Sequence, residues 1–260
     1  METLTRTVRV ASWNIHEGLA AHTTSGEPEI TQTVDLLNQH KIDIIGLQEV
    51  AFEQNGDSPI LDAILRGTEL SHVASFPLSP SSFHRDQRAG VAIASRYELT
   101  EVERRFMVNP GLEGRVCGSK IESHDKGLIA ANARLADNTM VRAVSLHAVP
   151  FRLFGRDANE PEFGSVWDHL ASSLWQLREG MPLIVCGDFN TSDRNLILGK
   201  DIGGALVRTV GDRATYDSFA ADDILVSREF RTQGTFVYSN FSDHMLCITE
   251  LTLRRAIEDG

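Results

Sequence analysis

Cysteine is scarce in this chain of 260 residues: only Cys117, Cys186 and Cys247 occur, an odd number at wide spacing. That excludes a disulfide scaffold and a CxxC metal site, and buried reduced thiols are expected. No apolar run approaches the roughly 20 residues of a membrane span. Met1 to Arg9 alternates polar residues and lacks the apolar stretch of a signal peptide, so a cytoplasmic protein is expected. Positive charge is short as well. Lys and Arg number 25 against 36 Asp and Glu, a formal net charge of −11. Such a field does not gather a polyanion, which weighs against tight non-specific nucleic-acid binding. It leaves catalysis on a phosphate open, because a bound cation inverts the local potential. Repeats, low-complexity tracts and linkers are also missing. The composition is globular, and residues 1–260 are expected to form a single α/β domain.

What is present is an alternation of strand-like and helix-like runs. VRVASWNI (8–15) and IDIIGLQEV (42–50) are rich in β-branched and apolar residues, as expected for strands covered on both faces. Between them, 16–29 reads as a loop, and Ile30, Val34 and Leu37 share one face of a helix to Lys41, with Thr31 as its expected cap. A short helix is expected around Ile60 to Leu65. GVAIAS (90–95), LIAANARL (128–135) and MVRAVSLHAV (140–149) read as strands, the last two joined by an Asp137-Asn138 turn. The segment 104–127 is the most basic neighbourhood, either a solvated strand pair or a substrate contact. SVWDHLASSLWQLRE (165–179) is the clearest amphipathic helix, with Trp167 and Trp175 expected in the core. Further strands are expected at Ile224 to Val226, Thr235 to Tyr238 and Met245 to Leu251.

Oxygen- and imidazole-bearing residues collect at the ends of these strands. They are Asn14, Glu49, His147, Asp188 with Asn190, Asp222 with Asp223, and Asp243 with His244. Loops at strand ends are where α/β proteins place their chemistry. A set of carboxylates, amides and imidazoles without cysteine suits Mg²⁺ or Mn²⁺. In VCGDFNTS (185–192), Asp188 and Asn190 lie two apart, so extended backbone would point both to one face and Phe189 to the other. His16 and Glu17, in the first loop, read either as substrate contacts or as exposed loop residues without a role, the second being the commoner case.

The ordered series WNIHEG, LQEV, SLHAVP, GDFNTS, DDILVS and SDH resembles the endonuclease/exonuclease/phosphatase superfamily over nearly the whole chain. That resemblance implies a DNase I-like, four-layer α/β sandwich of two mixed β-sheets packed face to face and flanked by helices. It also implies Mg²⁺- or Mn²⁺-dependent hydrolysis of a phosphodiester or phosphomonoester by in-line water attack. By position, Glu49, Asn14 and Asp243 match the metal-side residues. Asp188 and Asn190 match the pair that orients water and holds a phosphate oxygen. His244 matches a general base or phosphate clamp, and Asp222 matches its orienting carboxylate, with Asp223 as competitor. His147 matches a residue serving the phosphate or leaving group, and Asn14, Asn190 and His147 would contact substrate. A nuclease, a phosphatase or phosphodiesterase for a nucleotide, inositol phosphate or phospholipid head group, and a silent binding domain on the same scaffold all remain open at this point. The last would be expected to lose one of Glu49, Asp188, Asn190 or His244.

Overall fold

The computed structural model describes residues 7–23, 26–116, 118–199 and 205–254. Cys117 and Met1 to Arg6 lie outside them. In chain order the strands are β1 (Val8–Asn14), β2 (Ile44–Glu53), β3 (His72–Pro80), β4 (Gln87–Ser95), β5 (Leu99–Phe106), β6 (Glu113–Val116) and β7 (Ser119–Glu122). They continue as β8 (Gly127–Arg134), β9 (Met140–His147), β10 (Leu183–Asp188), β11 (Leu206–Arg208), β12 (Asp222–Ser227), β13 (Phe230–Tyr238) and β14 (Leu246–Leu253). The main helices are α1 (Ile30–His40), α2 (Pro59–Gly67) and α3 (Gly164–Arg178).

Among the described residues two six-stranded sheets form, ordered β13-β14-β1-β2-β4-β3 and β11-β12-β10-β9-β8-β5, and β6 pairs with β7 in a two-stranded one. Both large sheets are mixed. β1 and β2 run parallel in the first, β9 and β10 run parallel in the second, and the remaining pairs are antiparallel.

Period-two alternation stacks the layers. Val10, Ile44 and Ile93 of the first sheet meet Ile129, Ala143, Ile184 and Ile224 of the second in a shared core. Ala11, Ile45 and Leu47 point the other way and pack with Leu37 of α1 and Ile60 and Ile64 of α2. On the far side, Ala130, Val144 and Val185 pack with Leu170, Leu174 and Leu177 of α3. Helices outside two facing sheets make the four-layer sandwich. Gly46 sits where the two sheets approach closely. A Cβ there would collide with the Cβ of Cys186 and stand 3.1 Å from that of Ser145.

Local expectations were met unevenly. Asn138 at φ 65 and an Asp137 side chain accepting from Thr139 N (3.1 Å) form the β8–β9 turn. Ser58 caps α2 through Leu61 N at 3.5 Å, with Pro59 in the first turn. Thr31 does not cap α1; the helix begins one residue earlier, at Ile30, so the cap position is Glu29, without a side-chain bond. Trp167 is buried and donates to Ala158 O at 2.8 Å, but Trp175 is 51% exposed on the solvent side of α3. Edge strands β3 and β5 escaped the sequence reading, whereas the exposed β6–β7 hairpin is the solvated strand pair that the 104–127 segment allowed. Cys186 and Cys247 are free and buried, and burial pushes the Cys186 thiol up to about 12. Among the described residues no helix is long and apolar enough to cross a membrane.

Candidate active site

The parallel pairs in the two sheets end at one rim. Register sets His147, Asp188 and Asp222 side by side at the ends of β9, β10 and β12. In the facing sheet Asn14 ends β1 beside Gln48 of β2. One hydrogen bond joins the two rows across the sandwich: Asn14 Nδ2 donates to Asp188 Oδ2 at 3.0 Å. Beneath it, Gln48 Nε2 donates to Ser145 Oγ (3.1 Å), which donates to Leu47 O (2.9 Å), tying the sheets again.

Two of the site residues leave the strand ladder. Glu49 occupies a bulge between Gln48 and Val50 with φ 51, and its carboxylate lies 3.7 Å from His147 Nε2. Asn190 has φ 51, so it does not share an extended face with Asp188. Its N–H closes an Asx turn onto Asp188 Oδ1 at 2.9 Å, and its Nδ2 donates to Ala148 O at 3.0 Å. Phe189 does turn inward and is fully buried. Both conformations are left-handed, a region sparsely populated by non-glycine residues and typical of functional sites.

His244 closes the second side. Its Nδ1 meets Asp222 Oδ2 at 2.8 Å and its Nε2 faces Asp188 Oδ2 at 3.8 Å. Burial alone would lower its pKa, but Asp222, Asp188 and Asp243 outweigh that, and it is raised to about 10. Burial raises the Asp188 carboxyl, with His244 opposing. Asp223 points elsewhere, pairing with Arg208 (2.9 Å) and the buried Arg194 (3.5 Å), so Asp222 is the histidine's partner. Asp243 lies 3.1 Å from His16 Nδ1, and its own carboxyl is held low by hydrogen bonds and cations that outweigh burial.

Six of the sequence-selected residues therefore share one contact network: Asn14, Glu49, His147, Asp188, Asp222 and His244. Asn190 joins through Asp188. Asp243 joins through its neighbour Ser242, whose Oγ donates to Asn14 O at 2.8 Å. Four other residues stand at the site without having been selected. Glu17 is buried rather than exposed, its carboxylate held by Ser81 Oγ and Ser82 N. His16 is partly buried between Asp243 and Thr23 O. Tyr216 stacks on His244 with ring centroids 4.6 Å apart. Lys126 places its Nζ 3.2 Å from both ring nitrogens of His147. Burial and then Lys126 hold the pKa of His147 well below the ordinary imidazole value. Burial lowers the pKa of Lys126 as well, with Glu49 and Asp188 opposing that shift. A lysine beside a neutral imidazole is a donor suited to an anion. Position in the basic 104–127 segment was the available signal for Lys126. The rest of that segment is spent elsewhere, Arg105 on Glu103 and Lys120 on Glu113 and Glu122.

Asp188, Asp222 and His244 form a buried acidic and imidazole cluster whose ligand atoms all lie within 4.8 Å of one another. No curated protein matches the chain in sequence. Solved structures match its fold. An endonuclease/exonuclease/phosphatase from Beutenbergia cavernae is 16% identical with a TM-score of 0.74, covering 95% of this chain and 72% of that one. The human Nocturnin catalytic domain with bound sulfate is 18% identical with a TM-score of 0.71, covering 95% of both chains. A Bacteroides thetaiotaomicron mannosyl-6-phosphatase is 15% identical with a TM-score of 0.64, covering 95% of this chain and all of that one. Residues 11–244 match the Endonuclease/Exonuclease/phosphatase family, and the chain belongs to that family, whose members hydrolyse phosphoester bonds.

Proposed function

We propose that this chain is a divalent-metal-dependent hydrolase of small phosphoesters, with residues 1–260 acting as one catalytic unit. The observation that carries the reading is the Asn14–Asp188 bond between the sheets, flanked by His147 and His244 within 3.8 Å of Asp188.

The metal is proposed to be Mg²⁺ or Mn²⁺, held by Glu49 with Asn14 and Asp243. Among the described residues no hydrogen bond reaches the Glu49 carboxylate, and the field of Glu49 meets that of Asp243 at His16 and Tyr216. Hard oxygen donors of this kind fit either ion. The Asp188–Asp222–His244 cluster fits less well. His244 spends Nδ1 on Asp222, and an imidazole with a pKa of about 10 is protonated at neutral pH and has no lone pair to give. When bound, the ion supplies Lewis-acid polarisation of the phosphoryl oxygens.

The protein's own groups divide the remaining work. Asp188, made more basic by burial, orients the attacking water and accepts its proton. His244 clamps a phosphoryl oxygen as an imidazolium held by Asp222. Asn190, fixed by its turn, donates to another phosphoryl oxygen. His147 stays neutral and donates a hydrogen bond toward the leaving oxygen, while Lys126 supplies positive charge beside it.

A net charge of −11, with Arg105 and Lys120 of the basic segment already paired to carboxylates, favours a small phosphoester over DNA. The mannosyl-6-phosphatase similarity adds sugar phosphates to the panel. A silent binding domain is disfavoured because Glu49, Asp188, Asn190 and His244 are all present. The test is turnover of 4-nitrophenyl phosphate, bis(4-nitrophenyl) phosphate, mannose 6-phosphate and plasmid DNA. EDTA-treated protein should be inactive, with activity restored by Mg²⁺ or Mn²⁺ and greatest on a small substrate. EDTA-resistant turnover would contradict the metal requirement, and plasmid cleavage outpacing every small ester would reverse the substrate choice.

A further inference from the structure

Two loops meet at the rim beside the catalytic cluster. The first follows His147 and is pinned to the site where Ala148 N donates to Asp188 O at 2.9 Å. The second, 215–221, is pinned where Tyr216 stacks on His244 and where Ala221 O accepts from Phe189 N at 3.0 Å. A cation–π pair joins them: the Arg152 guanidinium lies over the Phe219 ring, 4.4 Å from its centroid. Phe219 is joined to Tyr216 by two backbone hydrogen bonds of 2.8 and 3.0 Å. Arg152, Phe219, Tyr216 and His244 therefore form a continuous row from the rim into the site.

The same loop contains an internal contrast. Arg156 also stacks on an aromatic ring, Phe163, at 4.8 Å, but its guanidinium is taken up by Glu160 and Glu162. Arg152 is exposed and, among the described residues, makes no ion pair and no side-chain hydrogen bond. Asp217, two residues from Phe219, does not pair with it. One arginine is structural; the other is held in place with its donors unused.

Resting on the phosphoesterase reading above, we infer that Arg152, braced on Phe219, forms a subsite for a second phosphoryl group of the substrate. A guanidinium presents a planar fork of donors that fits phosphate oxygens bidentately. Stacking on Phe219 restricts its rotamers before the ligand arrives, so less entropy is lost on binding. In a chain of net charge −11, an arginine kept clear of carboxylates beside a phosphate site is placed for an anion. The shared chemistry is a phosphomonoester or diester carrying another phosphoryl group, either on the same small molecule or on the next nucleotide of a strand.

The test is direct binding by calorimetry in an Asp188→Asn background, so that affinity is read apart from turnover. The probes are glucose 6-phosphate, glucose 1,6-bisphosphate and the trinucleotide pTpTpT, each with Mg²⁺. The bisphosphate should bind about tenfold more tightly than the monophosphate, the scale of one charge-assisted bidentate contact. Adding Arg152→Gln should collapse that ratio to about one, whereas Arg156→Gln should keep it. An Arg152-dependent gain seen with pTpTpT alone would keep the subsite and assign the second phosphoryl to a strand. A ratio unchanged by Arg152→Gln, or no gain from either multiply phosphorylated probe, would overturn the inference. Loss of hydrolysis in the panel above, with the Arg152-dependent ratio intact, would sink the catalytic reading and leave this binding site standing.

Discussion

Asp188→Asn should lower kcat by about three orders of magnitude, the range expected when a positioned acid–base group is removed. The substitution is nearly isosteric, so packing around the strand end is kept. What changes is charge and acceptor capacity. Asp188 Oδ2 is the meeting point of Asn14 Nδ2 at 3.0 Å, His147 Nε2 at 3.5 Å and His244 Nε2 at 3.8 Å. An amide there can neither take a proton from water nor balance the His244 cation. KM should move much less than kcat, because the lost interaction belongs to the transition state. Steady-state kinetics beside a thermal melt separate this from unfolding. A wild-type rate in a folded variant would show that the attacking water is held elsewhere.

Asp222→Asn should redraw the pH profile. His244 has its pKa raised to about 10, and burial works against that rise, so the neighbouring carboxylates create it. Asp222 is nearest, at 2.8 Å from Nδ1. The active imidazolium is present below its raised pKa and is lost as pH rises through about 10. Wild-type kcat/KM should therefore hold through neutral pH and fall only on the far alkaline side. With Asp222 made neutral, the pKa drops toward the ordinary 6.5 or so, and the falling limb moves into the neutral range. At pH 8, about 1.5 units above that value, the variant should be down by about thirtyfold, and a more acidic buffer should recover part of that loss. Superimposable alkaline limbs in the two proteins would remove His244 from its role as phosphate clamp.

Much of this site was legible because its residues close strands. The apolar runs ending at Asn14, His147 and Asp188 fixed where the chain would leave the sheet, and parallel pairing brings such ends to one rim. Asp222 was harder. The sequence left it in competition with Asp223, and only the strand's alternation settles the matter. One carboxylate faces His244, while its neighbour faces Arg194 and Arg208. Glu49 and Asn190 were found as residue types, but their left-handed backbones were not foreseen, since a bulge and an Asx turn depend on neighbouring strands. Glu17 and Lys126 were undervalued for a related reason. Charged residues in a glycine-containing loop look solvated until the fold covers them, and here Ser81 and Ser82, from the end of the unforeseen β3 onward, bury Glu17. Edge strands β3 and β5 carry mixed polar sequence because one side meets solvent, so they lack the apolar signature of the central strands.

If Asp188 and His244 act on one bound phosphoryl group, their losses will not multiply. The decisive measurement is kcat/KM on bis(4-nitrophenyl) phosphate for Asp188→Asn, His244→Ala and the double variant, all with saturating Mg²⁺. Groups that work as a unit give a double variant about as impaired as the worse single one. Losses that multiply fully would mean two independent sites, and the shared centre described above would be wrong.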